Sequence, residues 1–198
     1  MTSSNDTYAQ RAVGYVKLVN QIGSYFNYFQ PPTGATRSSQ PITVANGRIE
    51  ATQKQYLTYT WTDQQTTIAY QISEEGDKYV WEIFLKQGEG DFQRFIYAEE
   101  SKVARIGKMD VYNYFAGQGN DLLMKYAWEE KEDESFILTG IVPSGDLTYV
   151  ITVNPDASGS AKYTFAQDKY EIQWDAAGNG NWAFYSEGSV VTSGDWSV

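Results

Sequence analysis

Two hydrophobic periods run along this chain, and they divide it. From Asp6 to Phe29 the side chains of Ala9, Ala12, Val13, Val16, Val19, Ile22, Phe26 and Phe29 recur at steps of three and four, which builds one apolar stripe on a helix. Arg11, Lys17, Asn20, Gln21 and Asn27 hold the opposite face, and Tyr15, Tyr25 and Tyr28 widen the stripe at its edges. Ser3, Ser4, Asn5 and Asp6 supply capping oxygens and an acid for the helix start, and Pro31-Pro32 ends the run. The pattern predicts a helix over 6–29 that docks its stripe on something, followed by a Gly, Ser, Thr and Pro-rich connector over 30–45.

Beyond the connector the period falls to two. Strands are predicted at Tyr56–Trp61, Thr66–Ile72, Tyr79–Leu85, Phe92–Tyr97, Val103–Ile106, Met109–Phe115 and Leu122–Trp128. Others follow at Ser135–Val142, Leu147–Val153, Ser160–Phe165, Tyr170–Trp174, Trp182–Tyr185 and Val190–Trp196, with some merging expected to leave ten to twelve. The breaks between them, such as Glu74-Glu75-Gly76-Asp77, Pro143-Ser144-Gly145-Asp146 and Asp175-Ala176-Ala177-Gly178-Asn179-Gly180, are hairpin-length. Parallel neighbours would need crossovers of about a dozen residues, so the sheet is read as an antiparallel meander over 46–198. In its last third, Tyr163, Phe165, Tyr170, Ile172, Trp174, Trp182 and Phe184 alternate with polar residues, giving one buried and one wet face. The strands around Ile83 and Ile96 are apolar on both faces, and the helix is the cover this reading provides for the second one. The expected fold is a single, mainly β domain: a long antiparallel meander curled into a half-barrel or barrel, with one N-terminal amphipathic helix packed on its concave face.

This order of elements resembles the half-barrel of lipoprotein carrier and periplasmic lipid-binding proteins. The hairpins from Trp174 to Trp182 and from Ser193 to Trp196 also resemble the endings of uncharacterised secreted lipoproteins of Gram-negative envelopes. The resemblance implies a concave ligand cleft and carries no catalytic motif.

Composition narrows the chemistry by what is missing. The 198 residues include no histidine and no cysteine, which excludes a Ser-His-Asp triad, a thiol nucleophile and a zinc finger. The net charge of −10 opposes a phosphate backbone, so nucleic acid is not an expected partner. That charge is localised: residues 1–108 carry 11 basic and 11 acidic side chains, whereas residues 109–198 carry 4 and 14. No apolar run is long enough to span a bilayer as a helix, and the polar start is unlike a signal peptide. Abundant Tyr, Thr, Ser, Asn and Gly with few Lys and Arg favour an exported protein whose signal has been removed, periplasmic, outer-membrane-anchored or extracellular, over a cytoplasmic one.

Without histidine, acid–base work falls to carboxylates. The group Glu129, Glu130, Glu132, Asp133 and Glu134 reads as a solvated hairpin tip, while Glu82 and Asp110 sit within strands. Asp175, Asn179 and Asn181, and Asp156 with Ser158, offer oxygens to calcium but lack the closing bidentate Glu, and turn chemistry accounts for them. No metal and no cofactor is therefore expected. Sixteen Tyr, nine Phe and six Trp remain as the signal, because Tyr and Trp can line a lipid pocket or stack on sugar. Tyr79, Trp81, Tyr112, Tyr114, Tyr126 and Trp128 are the candidate ligand-binding residues. The expected function is non-enzymatic binding of an apolar or amphipathic ligand, with an N-terminal lipid anchor upstream of Met1 as the expected tether. The rivals are a glycan-binding module, a protein-interaction subunit and, last, a carboxylate-type hydrolase.

Overall fold

A computed structural model describes residues 30–44, 54–114 and 121–197. The helix expected over 6–29 lies outside the described residues, as does the break at Gly117-Gln118-Gly119-Asn120. Among the described residues, thirteen strands form one antiparallel sheet in which spatial order equals chain order. The first six are β1 (Thr36–Ser38), β2 (Tyr56–Asp63), β3 (Thr66–Glu75), β4 (Lys78–Gln87), β5 (Gln93–Ser101) and β6 (Ile106–Tyr112). The rest are β7 (Leu122–Glu130), β8 (Phe136–Val142), β9 (Leu147–Val153), β10 (Gly159–Phe165), β11 (Asp168–Trp174), β12 (Gly180–Ser186) and β13 (Ser189–Trp196).

The mainly β, antiparallel expectation holds, and the barrel alternative does not: β1 and β13 are the two edges of the sheet and do not pair. Closing a barrel needs every strand hydrogen-bonded on both sides with a consistent stagger, and a three-residue edge such as β1 offers little to pair with. Two further expectations are corrected. The segment at Val103–Ile106 is not a strand of its own, because Lys102–Ala104 form a turn that leaves Val103 84% exposed; Ile106 instead begins β6, which takes in Met109 and ends at Tyr112. The 30–45 connector contains a strand, β1.

The described residues divide into two compact units, one within 30–125 and one within 126–197. In the first, both faces of the central strands are buried. Ile68, Ile83, Leu85, Ile96, Ala98, Met109 and Val111 occupy one face, and Thr58, Ala69, Gln71, Ser73, Val80, Glu82 and Phe84 the other. The second face has a cover that the hydrophobic pattern did not reveal. After β1 the chain crosses the sheet: Thr58 donates to the Gln40 carbonyl at 2.9 Å, the Ile42 amide donates to Gln71 Oε1 at 2.7 Å, and Val44 bridges to Phe92.

The second unit repeats one design. The loops 131–135, 154–158 and 175–179 are each closed by an amide of the first residue donating to the carbonyl of the fifth, at 2.8 Å in all three. Their fourth residues, Glu134, Ala157 and Gly178, have φ of 64°, 68° and 87°. Trp174 Nε1 then donates to the Ala157 carbonyl at 2.9 Å, and Trp196 Nε1 to the Gly178 carbonyl at 2.7 Å. Each indole lies across from a glycine, Gly159 and Gly180, where a Cβ would run into the ring. On the buried face, Gly140 ends the aromatic row Gly140–Tyr149–Tyr163–Tyr170–Phe184, and Ala161 and Gly194 make room for Ile151, Ile172 and Trp182 in the row Ile151–Ala161–Ile172–Trp182–Gly194. Tyr149, Tyr163 and Tyr170 are at most 1% exposed.

Candidate functional site

The candidate aromatics do not form one cluster. Tyr79 and Trp81 lie on β4 two residues apart, hence on one face, with ring centroids 6.3 Å apart and planes inclined by 41°. Tyr112 is half-buried on the opposite face, in line with Asp110, and its hydroxyl is pushed up in pKa by burial first and by Asp110 second. Tyr114 follows β6 and is half-buried, which raises its pKa as well. Tyr126 belongs to the other unit's core, edge-on to Tyr149 at 6.3 Å, and Trp128 is half-buried beside it on β7.

Around Tyr79 the first unit has a groove of about 870 Å³. Cross-strand pairing places Leu57 opposite Ile72, and these two apolar side chains form its floor. Tyr79, 41% exposed, stands at one side with Lys102 Nζ 5.1 Å from its ring centre. The rim is ionic. Lys54 pairs with Glu75 at 2.7 Å, Glu74 pairs with Lys102, and Arg37 of β1 lines the groove beside Gln55, Tyr56 and Ser73. Volumes of about 300–1,000 Å³ with an apolar lining and a few polar groups are typical of small-molecule sites. Tyr79 was legible as a candidate; Arg37, Leu57 and Ile72 were not. The signal for Arg37 was a lone cation in a segment read as connector.

The opposite face carries a polar cluster. Glu82, 9% exposed, accepts from Gln71 Nε2 at 2.8 Å and pairs with Arg94 at 2.6 Å, so both of its oxygens are engaged. Arg94 reaches it through a β-bulge. β4 and β5 pair in step at Ile83–Ile96, then shift so that Phe84 opposes Arg94, leaving Phe95 as the extra residue. Strict alternation would have put Arg94 on the Ile96 face; the bulge turns it toward Glu82, with its guanidinium 5.9 Å from the Phe84 ring centre and 5.6 Å from that of Tyr97.

Beside it, Glu99 is bound by Lys78 at 2.7 Å, by the Tyr97 hydroxyl at 2.8 Å and by Lys108 at 3.3 Å. The Lys78 ammonium above all, with Tyr97 and Lys108 behind it, holds the carboxyl at about 2 against the opposing push of burial. Burial first and Glu99 second push the Tyr97 hydroxyl up. A carboxyl fixed in its ionised form is a poor general acid near neutral pH. It is instead a store of stability. Its pKa lies below the ordinary 4.5, so the contribution is complete above about pH 4.5 and drains as pH falls toward 2. Because Lys78 is half-exposed, the size is on the order of 2 kcal/mol. Urea midpoints between pH 7 and pH 3 should therefore fall more steeply for the parent chain than for Glu99→Gln, and parallel slopes would contradict this assignment.

The acidic loops are committed to their own turns. Asp133 Oδ1 accepts from the Ser135 amide and hydroxyl, Asp156 Oδ1 from those of Ser158, and Asp175 from Asn179, which lowers all three carboxyl pKa values. Among the described residues no group of three or more Asp or Glu is arranged to hold a metal ion. Comparison with protein-family models, with curated proteins and with solved structures returns no match.

Proposed function

We propose that this chain is a non-enzymatic, exported or envelope-associated protein that binds an apolar or amphipathic ligand in the groove floored by Leu57 and Ile72. One observation carries the reading: an apolar floor and an ionic rim meet in a space large enough for a small molecule, within a single unit. Every carboxylate of that rim is engaged by a lysine, which favours binding over hydrolysis. The 41° inclination of Tyr79 to Trp81 disfavours a flat sugar platform. The composition, poor in Lys and Arg, supports export.

The same proposal gives the amphipathic 6–29 segment a place. Tyr149, Tyr163, Tyr170 and Ile172 share one face and are at most 1% exposed. A sheet face is buried only where something lies on it. The apolar stripe is suited to that face, and a helix there completes the half-barrel arrangement.

A neutral amphiphile tests the binding reading. N-phenyl-1-naphthylamine should show saturable fluorescence enhancement, and Tyr79→Ala should weaken it by about five- to tenfold, the cost of one partly buried aromatic contact, with an unchanged circular dichroism spectrum. Non-saturable binding, or binding indifferent to Tyr79→Ala, would overturn the groove as the site.

A further inference from the structure

We infer that the groove selects amphiphiles with an anionic head, and that Arg37 is the residue that reads it; this rests on the binding role proposed above. Charge bookkeeping around the rim leaves one residue over. Glu75 is neutralised by Lys54 and Glu74 by Lys102, whereas Arg37 has no ion pair among the described residues.

Its direction follows from register. Arg37 pairs with Tyr59 across β1 and β2, and cross-strand partners share a face. Tyr59 is two residues from Leu57, so the guanidinium projects on the face that carries Leu57, Ile72 and Tyr79. A ligand whose chain lies along Leu57 and Ile72 therefore presents its head to an exposed cation that has no ion pair among the described residues. Glu74 and Glu75 do not cancel it, because each is already held by a lysine.

The chemistry favours a carboxylate or phosphate monoester. A guanidinium donates two parallel hydrogen bonds to such oxygens, a geometry that neither a hydroxyl nor an ether head reproduces. A neutral chain gains the floor alone, and a small anion gains the head contact alone.

Calorimetry with three soluble probes separates these contributions: decanoate carries head and chain, decanol the chain, and acetate the head. Decanoate should bind about tenfold more tightly than decanol, as a charge-assisted contact at a half-open rim implies, while acetate should not bind measurably. Arg37→Gln should bring decanoate down to the level of decanol and leave decanol unchanged, and Arg37→Lys should restore part of the difference. Decyl phosphate in place of decanoate reports which head is preferred, and binding of either above decanol supports the inference. Equal binding of decanoate and decanol, or retention of the preference in Arg37→Gln, would overturn the selectivity and leave the binding role standing. Failure of all the chain-bearing probes would overturn both. Arg37 lies on an exposed edge strand, so the variant is expected to melt like the parent.

Discussion

Gly140→Ala should destabilise the C-terminal unit by about 2–4 kcal/mol, an unusual cost for adding one methyl group. Gly140 pairs with Tyr149, and a Cβ at Gly140 would enter the space of the tyrosine's Cζ, Cε1 and Oη. The ring cannot swing aside. It is 1% exposed and bounded by Tyr126 on one side and by Tyr163, 5.6 Å away, on the other. The β-propensity gained by losing a glycine from a strand is under about 1 kcal/mol and does not offset the clash. Tyr149→Ala alone should cost about 3–5 kcal/mol, as large-to-small core changes do. The two changes meet at one spot, so the double variant should be less destabilised than the sum of the singles. Urea unfolding of all four species gives the coupling directly, and additive costs would mean the ring does not rest on Gly140.

Arg94→Met should cost about 2 kcal/mol and loosen a segment that Arg94 does not touch. It leaves the Glu82 carboxylate, 9% exposed, with Gln71 as its remaining partner. Breaking a buried ion pair costs about 3–5 kcal/mol, and the half-exposed position of Arg94 reduces that figure. Gln71 is the shared link, because its amide nitrogen serves Glu82 while its oxygen holds the Ile42 amide. A Gln71 drawn toward an unpaired carboxylate holds Ile42 less well, so hydrogen exchange at the Ile42 amide should accelerate in Arg94→Met. Exchange should return toward the parent rate in Glu82→Gln/Arg94→Met, where no charge is left behind. Unchanged exchange at Ile42 in the single variant would show that the 39–44 segment is held independently of this network.

These two sites differ in how far the sequence announced them. The alternation of Tyr163, Tyr170, Ile172, Trp182 and Phe184 with polar residues is a period-two signal, and short breaks left only antiparallel neighbours as an option. Strand order and the buried aromatic face were therefore legible. The Arg94–Glu82 pair was not, because a bulge at Phe95 shifts parity, and no periodic pattern announces a shift of one. The 39–44 segment escaped for a related reason: it covers the sheet through the carbonyl of Gln40 and the amide of Ile42, groups that every residue possesses. The groove shows a third case. Tyr79 stood out as an aromatic, whereas Leu57 and Ile72 looked like ordinary strand residues, and their role depends on the register that places them side by side. Arg37 depends on a further pairing, with a three-residue strand too short to register as one.

The meander has a kinetic consequence. Every strand pairs only with its neighbours in the chain, so apart from the longer connections from Ser38 to Tyr56 and from Tyr112 to Leu122, each step of assembly closes a loop of a few residues and little chain entropy is lost before contacts form. All-β proteins are usually slow because their pairings are remote. Here contact order is low for a β protein, and a sheet of this kind can start at any one of its hairpins and zip outward in both directions. The loops 131–135, 154–158 and 175–179, closed alike by their own hydrogen bonds, are natural starting points.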